Sequence, residues 1–183
     1  MTDTEVRDPR EVHAMKETLG KKIDAAWDSA FQEDVDFDEI IKSECLSNKF
    51  FATLQKDITI GPYVRHDLGP VANGAIGYLD LISEGVREDE ILMIAKKLIR
   101  EYMLVLQDIY LRLNDSLGTS ETKEKNEVSI ETITELIENL YDSLSNDTNV
   151  PLTITNLKAD VSQGIHMTGD QAAIVYNGIR NIV

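Results

Sequence analysis

Two long stretches written in the same three-four rhythm, with only a few residues between them, constrain this chain more than any other feature. From Tyr63 to Ile82, YVRHDLGPVANGAIGYLDLI, apolar residues fall at Val64, Leu68, Val71, Ala75, Tyr78 and Ile82. From about Glu88 to Asn114 they fall at Ile91, Ile94 or Ala95, Leu98, Tyr102, Val105, Ile109 and Leu113. Such spacing lays one apolar stripe along each helix. Glu84-Gly85 is the joint, with Gly85 suited to a helix C-cap, and helices so closely joined pack antiparallel. The second helix also carries Met93, Ile99, Met103, Leu104, Leu106 and Leu111, more apolar surface than one seam uses. A lone hairpin would leave that surface wet, so the expected architecture is mainly α, a hairpin that dimerises into a four-helix bundle.

The first helix carries a histidine beside an acid. With Val64 and Val71 at heptad position d and Leu68 and Ala75 at position a, His66 falls at f, farthest from the seam. Its imidazole is therefore expected to face water. Pro70 has no amide hydrogen, and its ring crowds the carbonyl four residues earlier, that of His66 itself. A kink just after the histidine follows.

Charge and composition limit the partners. The chain has 33 acidic and 18 basic residues, a formal charge of −15. A phosphate backbone is bound through basic side chains, so nucleic acid and anionic membrane are poor partners for this surface. Cys45 is the single cysteine, which excludes an intrachain disulfide and a thiolate-rich metal site. No apolar leader follows Met1, and no window approaches the roughly 20 apolar residues of a membrane helix. The expectation is a soluble, cytoplasmic protein without membrane insertion.

Three regions are expected: an N-terminal helical segment over 1–57, the hairpin over 58–117, and a small α/β segment over 127–183. Asp8 and Pro9 read as cap and first turn of a helix to about Phe31, with Val12, Met15, Leu19, Ile23, Ala26 and Ala30 on its stripe. A second helix is expected over about Phe37 to Gln55. Between them, Asp34, Asp36 and Asp38 begin like a calcium loop, but Glu39 and Cys45 stand where that loop needs glycine and glutamate. Gly61-Pro62 marks the break before the histidine helix. The polar run LGTSETKEKN from Leu117 is the best boundary. Beyond it come a helix capped by Ser129, a polar loop at Ser145 to Asn149, a weak strand over 152–157, and a closing helix from Gly169 or Asp170.

An exposed neutral imidazole can accept a phosphoryl group when one nitrogen is free to attack and the other is oriented by a base. His66 and Asp67 satisfy that requirement, and the chain has no GxxxxGK[ST] loop to hold ATP itself. The histidine, acid, leucine and proline at His66, Asp67, Leu68 and Pro70, followed by the turn and second helix, resemble the dimerisation and histidine-phosphotransfer domain of two-component sensor kinases. The resemblance implies His66 as phosphoacceptor, Asp67 as assisting acid or base, a homodimer, and a response-regulator receiver domain as partner. Here the proline lies four residues after the histidine rather than the family's usual five, and it occupies the position of the residue that aids dephosphorylation, so no phosphatase role is carried over. The C-terminal GDQAAIVYNGIRNIV resembles the start of a kinase ATP-binding domain. On that likeness, Asn181, paired with Asn177, would be a magnesium position of a degenerate N-box. The glycine-rich boxes of that domain are missing from the sequence. ATP and magnesium are therefore expected only if the chain is part of a longer kinase, and otherwise a separate histidine kinase or an acyl phosphate supplies the phosphate. A different class of reading is a non-catalytic dimeric helical protein that binds a receiver domain or kinase.

Overall fold

The computed structural model describes residues 8–118, 127–148 and 166–181. The chain divides into two compact units, Met1–Thr122 and Lys123–Val183. Most described residues are helical, and no described helix is long and apolar enough to cross a membrane. The first three helices lie in the same compact unit as the hairpin.

Helix α1 (Pro9–Phe31) starts where its cap dictates, with the Asp8 carboxylate accepting from the Arg10 amide at 2.9 Å. Its buried face, Leu19, Ile23, Ala26, Trp27 and Ala30, packs on α6 (Asp89–Ser116). Gly20 permits that approach, because a Cβ there would stand 3.2 Å from the Tyr110 ring. The other end of α1 is closed from α6. Arg100, almost wholly buried, donates through Nε to the Ala30 carbonyl and through Nη2 to the Gln32 carbonyl, each at 2.9 Å. A guanidinium suits this place because it supplies several donors to helix-end carbonyls that have no partner within the helix.

The single helix expected over Phe37 to Gln55 is two, α2 (Phe37–Ser43) and α3 (Asn48–Lys56). Glu44 turns left-handed, with φ of 55°, and Ser47 caps α3 by accepting from the Phe50 amide. The break frees the Cys45 carbonyl, which receives the buried Tyr102 hydroxyl at 3.2 Å. The expected stripe was continuous across this break, and the serine cap that ends it has no acid three residues later to mark it. Asp36, one of the three acids of the calcium-like run, instead caps α2 through the Glu39 amide, and Asp38 pairs with Arg87.

The histidine helix is built from α4 (Gly61–Tyr63), a π turn (Val64–Leu68) and α5 (Gly69–Ser83). The distortion expected after the histidine lies around it. Pro70 cannot donate to the His66 carbonyl, and the helix opens into a wider turn in which the Gly69 amide reaches the Val64 carbonyl, five residues back. Both ends of that turn, Val64 and Leu68, are fully buried. α5 buries Ala72, Ile76 and Leu79 besides the expected Val71, Ala75 and Ile82, while Tyr78 is only half-buried. The face is wider than one stripe because α5 meets α2 as well as α6. Gly74 allows close contact with α6, where a Cβ would lie 3.1 Å from Leu98; Gly77 faces open space.

α5 ends in a two-bond cap. The Gly85 amide reaches the Ile82 carbonyl and the Val86 amide reaches the Leu81 carbonyl, both at 3.0 Å, with Gly85 at φ of 97°. α5 and α6 then form the antiparallel hairpin. Tyr102, Met103, Leu104, Val105 and Leu106 are all sealed from water, so α6 is buried all round at its middle. Of the surplus face assigned to a second copy, Ile99, Met103, Leu104 and Leu106 are buried within one chain, where α1 packs on α6 and Cys45 meets Met103. Met93 alone of that set remains widely exposed, at 67%.

In the second unit, β1 (Val128–Ser129) pairs antiparallel with β2 (His166–Met167). Ser129 caps α7 (Ile130–Thr148) through the Thr132 amide at 3.2 Å. The helix passes through most of the polar run expected as a loop. Thr168 and Gln171 form a reciprocal capping box that starts α8 (Gly169–Arg180). Among the described residues, Ile133, Leu136, Ile137, Ala172, Ala173 and Tyr176 are the buried apolar side chains of these two helices. The expected strand over 152–157 and the N-terminal seven residues lie outside the described residues.

Candidate functional site

The π turn sets out the chemistry of the first unit. Its foundation is the end of α3: Arg65 donates through Nη1 to the Gln55 carbonyl at 2.7 Å. Gly61 passes so close to the same carbonyl that an added Cβ would stand 2.6 Å from its oxygen. Only glycine fits that crossing. From this anchored base, His66 projects into water with its side chain 89% exposed, as its heptad position requires.

His66 Nδ1 lies 2.7 Å from Asp67 Oδ1. An ionised carboxylate only accepts, so it fixes the tautomer with hydrogen on Nδ1 and leaves Nε2 as the nucleophilic nitrogen. The Asp67 side chain is 20% exposed, tucked toward the bundle while its partner stands outside. This is the arrangement of an activated imidazole: one nitrogen held by a base, the other presented to solvent.

Across from the turn, α6 contributes two residues that the sequence pattern did not single out. Arg112 donates through Nε to Asp108 Oδ2 at 2.9 Å, and its guanidinium carbon lies 5.4 Å from the centre of the Tyr63 ring. The available signal was an acid and an arginine four apart on a long helix, too common to point to a site. Burial pushes the Asp108 carboxyl above its ordinary value of 3.8; the Asp67 charge adds to that, and the charge and hydrogen bond of Arg112 oppose it.

The sign of this shift gives a stability prediction. The folded chain holds the Asp108 proton to higher pH than the unfolded chain, so stability falls as pH rises from about 3.8 through the raised value. Asp108→Asn, which removes the buried charge, is expected to raise the thermal midpoint at pH 7, with the gain shrinking as pH is lowered toward about 4. A midpoint difference that does not change with pH would contradict this.

The second unit holds the other predicted position. Asn181 sits exposed at the end of α8, its backbone amide bonded to the Asn177 carbonyl at 3.1 Å. Asn177 is buried, and its side-chain amide donates to the Ala173 carbonyl at 3.0 Å. The two asparagines share a helix but not a direction of chemistry, one turned into its own helix and the other ending it. Among the described residues, no three His, Cys, Asp or Glu side chains gather as a metal site.

Comparison with protein-family models, with curated proteins and with solved structures gives no match.

Proposed function

We propose that the first unit is a two-component phosphotransfer module that accepts a phosphoryl group on His66 and passes it to an aspartate of a response-regulator receiver domain. The observation that carries this reading is the 2.7 Å contact between His66 Nδ1 and Asp67 on an imidazole that is otherwise in water.

The lone pair of Nε2 attacks phosphorus, the bond from phosphorus to the donor oxygen breaks, and the donor leaves with the electron pair. The donor is the nucleotide held by a separate histidine kinase, or an acyl phosphate. The imidazole becomes a cation as the new bond forms, and the Asp67 carboxylate stabilises that charge or accepts the Nδ1 proton. Transfer onward reverses the sequence. The receiver aspartate attacks phosphorus, the N–P bond breaks, and the ring regains a neutral Nε2. No ATP site is assigned to this chain, and Asn181 is not given a metal role.

The homodimer implied by the resemblance is not needed to bury α6, because α1 already covers it. In this reading the histidine is presented by a bundle completed within one chain.

The test is incubation with a histidine kinase and labelled ATP, or with labelled acetyl phosphate, followed by measurement of acid-labile label in wild type and His66→Gln. Label in the wild type alone supports phosphotransfer. Equal label in both would sink it. No label in either, together with binding of a receiver domain, would favour a non-catalytic interaction protein.

A further inference from the structure

Away from the histidine, the first unit carries an open cleft of about 500 Å3 between the connection from α1 to α2 and the start of α6. Val35 and Phe37 form one side of its floor, Leu92 and Met93 the other. None of the four is fully covered, and Met93 is 67% exposed. The 15 residues of α5, rising about 1.5 Å each, set this end of the hairpin about 22 Å from the π turn. The cleft is therefore independent of His66 and of the function proposed for it.

The walls are fixed from within the chain. Lys96 Nζ donates to the Glu33 carbonyl at 2.9 Å, and Arg87 pairs with Asp38. Asp36 caps α2, and Glu39 pairs with Lys42. What the rim leaves for a ligand is acid: Glu33 and Asp34 at the mouth, and Glu88, Asp89 and Glu90 on the approach to α6, all exposed. Among the described residues no cation pairs with any of these five. Asp89 and Glu90 suit the first turn of α6, where the helix dipole favours negative charge. Glu33 and Asp34 do not serve the fold in this way, because they follow the C-terminal end of α1, where the dipole opposes them.

We propose that this cleft docks a basic amphipathic helix of a partner protein, with its apolar side on Val35, Phe37, Leu92 and Met93 and its lysines or arginines against Glu33 and Asp34. A scattered exposed methionine would need no explanation. Four apolar side chains meeting in one cleft beneath unpaired acids do. An apolar helix face laid into a groove is a recurrent mode of recognition, and an unbranched thioether such as that of Met93 adapts to the shape that covers it. A second copy of this chain is the poorer occupant, because each copy has a formal charge of −15 and would bring acid to acid. A small ligand is poorer too, because pockets that take one enclose most of its surface, and here Met93 stands mostly in water.

The test uses the whole chain with its five methionines methyl-labelled, Met93 being assigned through Met93→Leu. The probe is a synthetic peptide of about 18 residues with leucines at helical period and lysines elsewhere. It is expected to shift the Met93 methyl signal, while a scrambled lysine peptide and a glutamate version bind at least about tenfold more weakly. Met93→Asp is expected to raise the Kd about tenfold, and Glu33→Lys with Asp34→Lys to raise it by a similar factor at low salt. These positions are exposed, and circular dichroism of each variant verifies the fold. Glu135→Lys with Glu138→Lys makes the same change of net charge on α7 and is expected to keep the Kd within about twofold. Equal weakening by the two charge reversals, or binding that leaves the Met93 signal in place, would reduce the effect to general attraction by an acidic chain and overturn the proposal. No shift up to millimolar peptide, or tighter binding of the glutamate peptide, would overturn it as well. A wild type that is dimeric by light scattering and monomeric as Met93→Asp would give the cleft to a second copy instead.

Discussion

His66→Gln chains are expected to take up no acid-labile phosphate, and Asp67→Asn chains to take it up roughly 10²-fold more slowly than wild type. The two substitutions probe different parts of one event. Glutamine removes the attacking nitrogen, and no other described histidine combines that exposure with a carboxylate at hydrogen-bond distance on an adjoining residue; His13 is paired with Glu17 one helical turn away at 3.5 Å. Asparagine keeps a hydrogen-bond acceptor near Nδ1 at similar size but removes the charge that stabilises the ring as it becomes cationic. It can also offer its amide group to Nδ1, which would place the ring hydrogen on Nε2 and occupy the attacking atom. The measurement is a time course of label in a gel held at alkaline pH, with the fold verified by circular dichroism. An Asp67→Asn rate equal to wild type would mean that the 2.7 Å contact has no part in the reaction.

The second large effect is on stability. Ile23→Asp places a carboxylate at a fully buried position of α1, against α6. An uncompensated buried charge costs about 4 kcal/mol or more, a large share of the 5–15 kcal/mol that holds an ordinary domain together. The urea midpoint is expected to fall steeply or the transition to disappear. Lys21→Asp, on the exposed side of the same helix, is expected to change it by no more than about 0.5 kcal/mol. Similar midpoints for the two variants would show that α1 does not cover α6 and would restore the case for a second copy doing so.

What the residue pattern made legible was local. Asp8 and Pro9 announced α1, Gly61-Pro62 announced the break, and Gly85 announced the hairpin turn, because caps and turns are set by neighbours in sequence. The heptad position of His66 gave its exposure for the same reason. What escaped were decisions made by distant parts of the chain. α2 and α3 separate at Glu44 and Ser47, where Cys45 and Leu46 are buried and the Cys45 carbonyl accepts from Tyr102. No apolar period encodes that separation. The surplus apolar face of α6 was visible, but periodicity gives the amount of a face and not its partner, and α1 was as good a partner as a second chain. Asp108 and Arg112 were missed because charges become a site only when another helix brings them beside one.

The π turn from Val64 to Leu68 has a further consequence, for insertion and deletion. It accommodates about one more residue than an α turn in the same length of axis. Deleting a single residue within it would let the helix close into ordinary α geometry with the helix on either side kept in phase. Val64 and Leu68 would then stand three apart and still share the core face. A deletion before His66 would change the turn in another way: the imidazole would follow Val64 directly and leave the side opposite the core, because its direction is set by a count of residues.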